Sequence, residues 1–411
     1  MLQTGDNMSN VRRTNRSSVL KLLHENGAMS RKRIAECLKL TPAAITKIVA
    51  ELMGEGLLIE GDVLSRGKAG RKEVMLTLDP HSRCALGILI NRRQAILSAV
   101  WLDGSVIFSE EIALADRADA DETVKMLCKR LLELSDSLPR EKIIGIGIAV
   151  RGITDEAGRL SRNSMGALDR ADYPLAERVE ELCALPAVMQ NNVRALFAAQ
   201  MFMAKDSELD AQFFLRCEYG IGAALSANGG IWFGSSGQCS EIGHIPMIAR
   251  GGKPCACGKS GCLETIASPM AICEDAKGIM SPERTPLLHK MLDGKKEALD
   301  INAVLDAARN GDAEVAAILD RAVEALGSAL KSVIYIVDPD KIVLYGRIFD
   351  NGYYLAKLIA EMNEGVDSRR SVIIERSRSV IIERSPYNGL LENKAAGLLS
   401  VSDYIERGGL Q

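Results

Sequence analysis

The sequence has no run of about eighteen apolar residues, which excludes a membrane-spanning helix. Its opening, Met-Leu-Gln-Thr-Gly-Asp, lacks a basic stretch leading into an apolar one, so no signal peptide is expected. Nothing marks the chain for export, and its ten cysteines therefore fit a reducing, cytoplasmic setting. Net charge is also scarce, at −3 over 411 residues. That small total hides an asymmetry. Residues 1–80 carry thirteen Lys/Arg against nine Asp/Glu, a net of +4, and the remainder carries 38 against 45, a net of −7. A basic first segment on an acidic body points to a polyanionic partner for the first segment alone, although a solvated surface has the same charge pattern. The hydrophobic content of 47% is enough to fill the cores of the two or three domains this length allows.

The first eighty residues read as three helices and a hairpin. Asn15 to Asn26 has an apolar face of Val19, Leu20, Leu22 and Leu23 and stops at Gly27. Ser30 caps a second helix from Arg31 to Leu38. Thr41-Pro42 starts a third, running to about Met53 and burying Ile45, Val49 and Leu52. Leu57–Glu60 and Glu73–Leu78 read as strands joined by Ser-Arg-Gly-Lys-Ala-Gly-Arg-Lys. Two helices with a short turn and then a hairpin with a basic tip describe a winged helix-turn-helix, whose partner is a double-stranded DNA operator. The third helix is expected in the major groove with Thr41, Ala43, Ala44, Thr46 and Lys47 exposed. Arg66, Lys68, Arg71 and Lys72 on the wing, and Arg16 on the first helix, are expected at phosphates or the minor groove. A small protein-binding domain is the other reading.

From about Pro80 strands and helices alternate. Cys84–Ile90, Ala95–Leu102 and Val106–Ile112 read as strands, Asp121–Leu134 as a helix, and Lys142–Val150 as a buried strand. A helix at Pro174–Leu185, a strand at Pro186–Gln190 and a helix at Asn192–Ala204 follow. Phe213–Ala227 reads as one long strand. The chain is then mostly helical to Val337, with a strand at Lys341–Tyr345 and helices at Tyr353–Met362 and Leu390–Tyr404. Two α/β lobes around a cleft account for this pattern. A direct repeat, Ser371–Ser377 and again Ser379–Ser385, reads as a short duplication of which one copy pairs in a sheet.

The strongest local signal is Cys255-Ala-Cys257-Gly-Lys-Ser-Gly-Cys262, with Glu241-Ile-Gly-His244 just upstream. Three thiolates and an imidazole match a tetrahedral Cys3His set. With all four positions supplied by protein the site is structural zinc, at residues 244–262, rather than catalytic zinc. A metal-free cysteine loop is the alternative. A disulfide fits less well, since Cys255 and Cys257 stand too close in sequence to pair easily.

Glu241-Ile-Gly-His244 followed by Cys-x-Cys-Gly-x-x-Gly-Cys-Leu-Glu264 resembles the signature of the ROK family of bacterial repressors and sugar kinases, over about residues 81–411. The resemblance implies an α/β, two-lobed, actin-like or hexokinase-like ATPase (ribonuclease H-like) domain behind a winged helix at 1–80, and a homodimer or homotetramer. It implies zinc on His244, Cys255, Cys257 and Cys262. It also implies a sugar or sugar-phosphate site at Asn163, Asn191, Asn192, Glu241, His244 and Glu264, whose amides and carboxylates suit paired hydroxyls.

The resemblance breaks where a kinase needs it. A glycine-rich phosphate loop is replaced by Leu89-Ile-Asn-Arg-Arg93, whose bulky side chains keep backbone amides from phosphate. The catalytic Asp is Asn192, and an amide takes no proton near neutral pH. A second phosphate loop reads Glu218-Tyr-Gly220, and a late glycine pair reads Gly346-Arg347. A sugar-responsive repressor without catalytic activity is therefore expected. A sugar kinase carrying a DNA-binding domain and a scaffold controlled by a partner protein are the competing classes.

Overall fold

The computed structural model describes residues 8–64, 73–155, 157–164, 166–205, 209–364 and 380–410. They divide into two compact units. The first runs to Lys205 and takes in the chain from Leu391 onward, and the second ends at Leu390.

The first unit opens with the winged helix. Helix α1 (Met8–Asn26) buries Val19, Leu20 and Leu23. It starts seven residues before the expected Asn15. The added turns carry few apolar residues, and Arg12 holds them through its ion pair with Glu51, 2.9 Å away. After β1 (Met29–Ser30), Ser30 accepts from the Arg33 amide at 3.3 Å and opens α2 (Arg31–Leu38). Thr41 accepts from the Ala44 amide at 3.2 Å and opens α3 (Pro42–Gly54), with proline in its first turn. Ile45, Ile48, Val49 and Leu52 of α3 are buried. Strands β2 (Leu58–Leu64) and β3 (Glu73–Leu78) complete a three-stranded antiparallel sheet in the order β1-β3-β2.

The same unit holds a five-stranded sheet in the order β10-β7-β4-β5-β6. Strands β4 (Cys84–Ile90), β5 (Gln94–Trp101) and β6 (Val106–Ala113) form an antiparallel meander. Helix α4 (Ala120–Ser135) leads to β7 (Ile143–Val150), parallel to β4. A small hairpin, β8 (Ile153–Thr154) with β9 (Ser161–Asn163), precedes α5 (Leu175–Cys183) and β10 (Ala187–Asn191), which is parallel to β7. Helix α6 (Asn192–Ala204) follows directly. Strands β4 and β7 are buried along their whole length, as strands covered on both faces must be. Side chains of α4 and α5 fill one face. The C-terminal helix (Glu392–Glu406) crosses the other so closely that a side-chain carbon on Gly147 would lie 1.7 Å from the Ala396 carbonyl oxygen.

The second unit is built on a sheet of order β13-β12-β11-β14-β15. The expected long strand Phe213–Ala227 is instead a hairpin of β11 (Ala211–Cys217) and β12 (Ile221–Ala227), in register from Ala211 opposite Ala227 to Cys217 opposite Ile221. Both arms carry the same apolar pattern, so periodicity does not reveal the reversal. The chain turns at Glu218-Tyr219-Gly220, where the Glu218 amide reaches the Gly220 carbonyl at 3.2 Å. Strand β13 (Gly230–Ile231) is followed by a 3-10 turn at Ile242–His244. Helices α7 (Glu264–Ala267), α8 (Pro269–Ile279), α9 (Pro286–Met291), α10 (Ile301–Arg309) and α11 (Ala313–Val337) come next. Strand β14 (Lys341–Tyr345), helix α12 (Gly352–Asn363) and strand β15 (Ile381–Arg384) end the unit. Leu326, Leu330 and Ile334 of α11 share one buried core with Leu215, Ile342 and Leu344 of the sheet. Strand β15 comes from the second copy of the direct repeat and pairs parallel to β14. The first copy lies outside the described residues. No helix among the described residues is long and apolar enough to cross a membrane.

Candidate functional site

On α3 the residues Thr41, Ala43, Thr46 and Lys47 are exposed and Ala44 is half-exposed. They surround the N-terminal turns, opposite the buried Ile45 and Val49. The Thr46 hydroxyl bonds back to the Pro42 carbonyl at 2.7 Å. Arg16 requires a correction. Its side chain is fully buried, with Nη1 donating to Glu55 at 2.8 Å and Nε to the Gly408 carbonyl at 2.8 Å. A guanidinium so occupied is unavailable to DNA phosphate. Its basic character next to Arg12 and Arg13 gave the wrong signal. The wing residues Arg66, Lys68, Arg71 and Lys72 lie outside the described residues.

The first unit brings three of the sugar candidates together. Asn191 ends β10 and caps α6, with its Oδ1 accepting from the amides of Val193 (2.9 Å) and Arg194 (3.2 Å). Its Nδ2 donates to the Gly152 carbonyl at 2.6 Å. Asn191 is thus largely spent on fixing the loop. Gly152 in turn packs on β9, where an added side-chain carbon would lie 1.9 Å from the Asn163 carbonyl oxygen. Asn163 is exposed at the end of that strand. Asn192, buried in the first turn of α6, donates from Nδ2 to Asn91 Oδ1 at 2.9 Å. Asn91 belongs to the β4–β5 turn, and its amide closes that turn on the Gln94 carbonyl at 2.9 Å. Sequence reasoning saw Asn91 only as a departure from a phosphate loop. Its pairing with Asn192, 101 residues on, had no local signal.

The second unit gathers the other candidates around Ile221. The Glu264 carboxylate accepts from the Ile221 amide at 2.9 Å and lies against Gly220, where a side chain would strike it. The turn carrying Glu241 and His244 rests on the same residue. A side-chain carbon on Gly243 would sit 2.2 Å from the Ile221 carbonyl oxygen.

His244 then points one ring into the cysteine loop. Its Nδ1 is 3.5 Å from Cys255 Sγ, and Cys257 Sγ is 3.6 Å from Cys262 Sγ. The four ligand atoms all lie within 4.8 Å of one another. Ligands about 2.3 Å from a tetrahedral ion stand roughly 3.8 Å apart. The cluster is therefore already drawn in to the size of a metal ion. The loop is pinned at both ends, by the Cys255 amide on the Lys259 carbonyl (2.8 Å) and by the Met247 amide on the Gly261 carbonyl (2.8 Å).

The two late nucleotide-side departures adjoin one another. Glu218 Oε1 accepts from the Arg347 amide at 2.9 Å. The Arg347 backbone donor is thus already occupied by a carboxylate.

Comparison with known proteins agrees with this layout. The ROK family profile matches residues 96–381, and the MarR family profile matches residues 15–59. The DNA-binding transcriptional dual regulator NagC of Escherichia coli (strain K12) is 27% identical over 349 residues, or 83% of this chain and 82% of that protein. A glucokinase of Halalkalibacterium halodurans is 30% identical over 224 residues, or 54% of this chain and 67% of the enzyme. A solved ROK family transcriptional regulator, a homolog of the E. coli MLC protein, shares the fold with a TM-score of 0.78 at 23% identity, over 97% of both chains. With one profile spanning most of the sequence and a MarR-type winged helix in front of it, the chain belongs to the ROK family.

Proposed function

We propose that the chain is a DNA-binding transcriptional regulator, acting as a repressor of carbohydrate-metabolism genes. Its effector is a sugar or sugar phosphate, and it has no kinase activity. The observation that carries this reading is the exposed N-terminal face of α3 in front of a ROK domain whose catalytic-base position is Asn192, its amide tied to Asn91. An amide cannot remove the hydroxyl proton that phosphoryl transfer requires. The Glu218 carboxylate on the Arg347 amide supports the same conclusion. A regulator relative that matches 83% of the chain supports it further.

In this reading Asn163 and Asn192 of the first unit are candidates to hold the effector's hydroxyls. Asn191 acts mainly by fixing the loop at Gly152. Effector binding changes the spacing of two winged helices in a homodimer, so that half-sites about one DNA turn apart no longer fit both. Zinc suits the Cys3His cluster by ligand type and spacing. When bound, it cross-links the loop and supplies no reactive position. His244, Cys255, Cys257 and Cys262 hold it, and the loop between them joins the Glu241 turn to the helix that begins at Glu264.

The test is operator binding by the full chain, on DNA selected from a random pool, with and without a panel of sugars and sugar phosphates. Release of the operator by one of them is the expected result. An ATP-coupled assay with the same sugars separates the kinase class, and turnover there would sink the reading.

A further inference from the structure

The exposed side of α3 carries almost none of the side chains that read base edges by paired hydrogen bonds. Up to Ala50, the side chains of α3 that are not buried belong to one proline, three alanines, one threonine and Lys47. Arginine and lysine are the usual readers of guanine, asparagine and glutamine of adenine, and the acids of cytosine. Of these only Lys47 stands between Pro42 and Ala50. The next in line, Glu51, accepts from Arg12 Nη2 at 2.9 Å and from Arg16 Nη1 at 3.3 Å, so its carboxylate is held against α1.

The two hydroxyls at this end are also committed. Thr41 Oγ1 accepts from the Ala44 amide as the helix cap, and Thr46 Oγ1 donates its proton to the Pro42 carbonyl at 2.7 Å. Basic side chains recur at the start of α2, where Arg31 pairs with Glu60 at 3.1 Å and Lys32 and Arg33 are exposed. In a helix-turn-helix that element crosses the phosphate backbone, and contacts there set position without reading sequence.

What α3 does offer is small and apolar. Ala43 is exposed and Ala44 half-exposed in the first turn, and Ala50 is exposed two turns on. Ala43, Thr46, Lys47 and Ala50 follow the i, i+3, i+4, i+7 spacing and so share one side of the helix. Short side chains let the helix backbone lie close to the base edges. In the major groove one base-pair group is met by apolar contact alone, the 5-methyl of thymine.

We propose that α3 reads DNA chiefly through the methyl groups of thymine, met by Ala43 and Ala44, with Lys47 as its one long hydrogen-bond donor. The partner is a duplex half-site with thymines under the first turn of α3. This rests on the DNA-binding reading above.

The full chain and an operator selected from a random pool test it. Each thymine of a half-site is replaced in turn by deoxyuridine, which removes the methyl and leaves base pairing unchanged. At one or two positions per half-site the change is expected to weaken binding about fourfold, the worth of one buried methyl. A bidentate contact would instead discriminate between bases by roughly five- to hundredfold. Ala43→Gly and Ala44→Gly should each bring the ratio of thymine to deoxyuridine affinity toward one at the position it meets, while Lys47→Ala leaves the ratios unchanged. Each ratio compares two DNAs on one protein, so it does not depend on how much of a variant is folded. Deoxyuridine tolerated at every position overturns the proposal and leaves DNA binding standing. A penalty that survives in both glycine variants also overturns it, since the methyl is then sensed through the shape of the DNA. If no operator is selected at all, it is the DNA-binding reading itself that fails.

Discussion

Arg16 and Gly408 stand 392 residues apart in sequence and meet through a 2.8 Å hydrogen bond from the guanidinium Nε to the carbonyl oxygen. The same guanidinium reaches Glu51 and Glu55 at the far end of α3. One buried cation therefore joins the first helix, the end of α3 and the turn that follows the C-terminal helix. Gly408 and Gly409 make this possible, because a side chain on either would press on Arg16 or Leu57.

Replacing Arg16 by alanine should destabilise the first unit by about 2 kcal/mol, below the cost of breaking a fully buried ion pair, because both glutamates keep some contact with water. Thermal melts should show a drop of roughly 4–8 °C. A melt unchanged within a degree would mean that the pair contributes nothing.

His24 gives the unit a pH dependence. Its ring lies 3.9 Å from that of Phe202, and Nε2 is 3.0 Å from the Phe202 carbonyl oxygen. Burial lowers its pKa, and Lys205 adds to this, while the Phe202 carbonyl and Asp103 oppose it. The folded state therefore keeps His24 neutral where the unfolded chain takes up a proton. Stability should be fully present above about pH 6.5 and should decline as pH falls below that value toward the lower folded one. Melts between pH 7.5 and 5.5 check this, with a shallower decline expected for His24→Gln.

The cysteine cluster makes a prediction about metal. The purified chain should carry about one zinc, and Cys257→Ser should lose it. Loss of the structural site should lower the melting temperature by roughly 2–4 °C for each kcal/mol it contributes. Elemental analysis beside a melt decides the matter. Full stability without metal would reduce the cluster to a cysteine-rich loop.

Lys47 is exposed on the α3 face. If that face meets DNA, Lys47→Ala should weaken operator binding and reduce the slope of log affinity against log salt by about one. Binding measured across a salt series reads both quantities. An unchanged slope together with a changed sequence preference would instead put Lys47 at a base edge.

The local signals were legible where the chain punctuates itself. Ser30, Thr41-Pro42 and Gly27 mark helix ends through side-chain caps and a left-handed stop, and the helices fall within a residue or two of those marks. The cysteine loop was legible because four ligands fall within nineteen residues, His244 to Cys262. What could not be read depended on partners distant in sequence. Arg16 looked like a phosphate contact until Gly408 and Glu55 were found around it. The hairpin at Glu218-Tyr219-Gly220 was hidden because apolar residues run through both arms. Glu264 as the acceptor for the Ile221 amide had no marker at all.

The order of synthesis gives the Arg16–Gly408 contact a further meaning. Arg16 leaves the ribosome early, but the carbonyl that it bonds emerges 392 residues later. At about 5–20 residues per second that is a delay of roughly 20–80 seconds. For most of that interval Arg16 has its glutamates but not its carbonyl. A chain clipped by a protease just before Gly408 should therefore hold its winged helix less firmly than one that includes it.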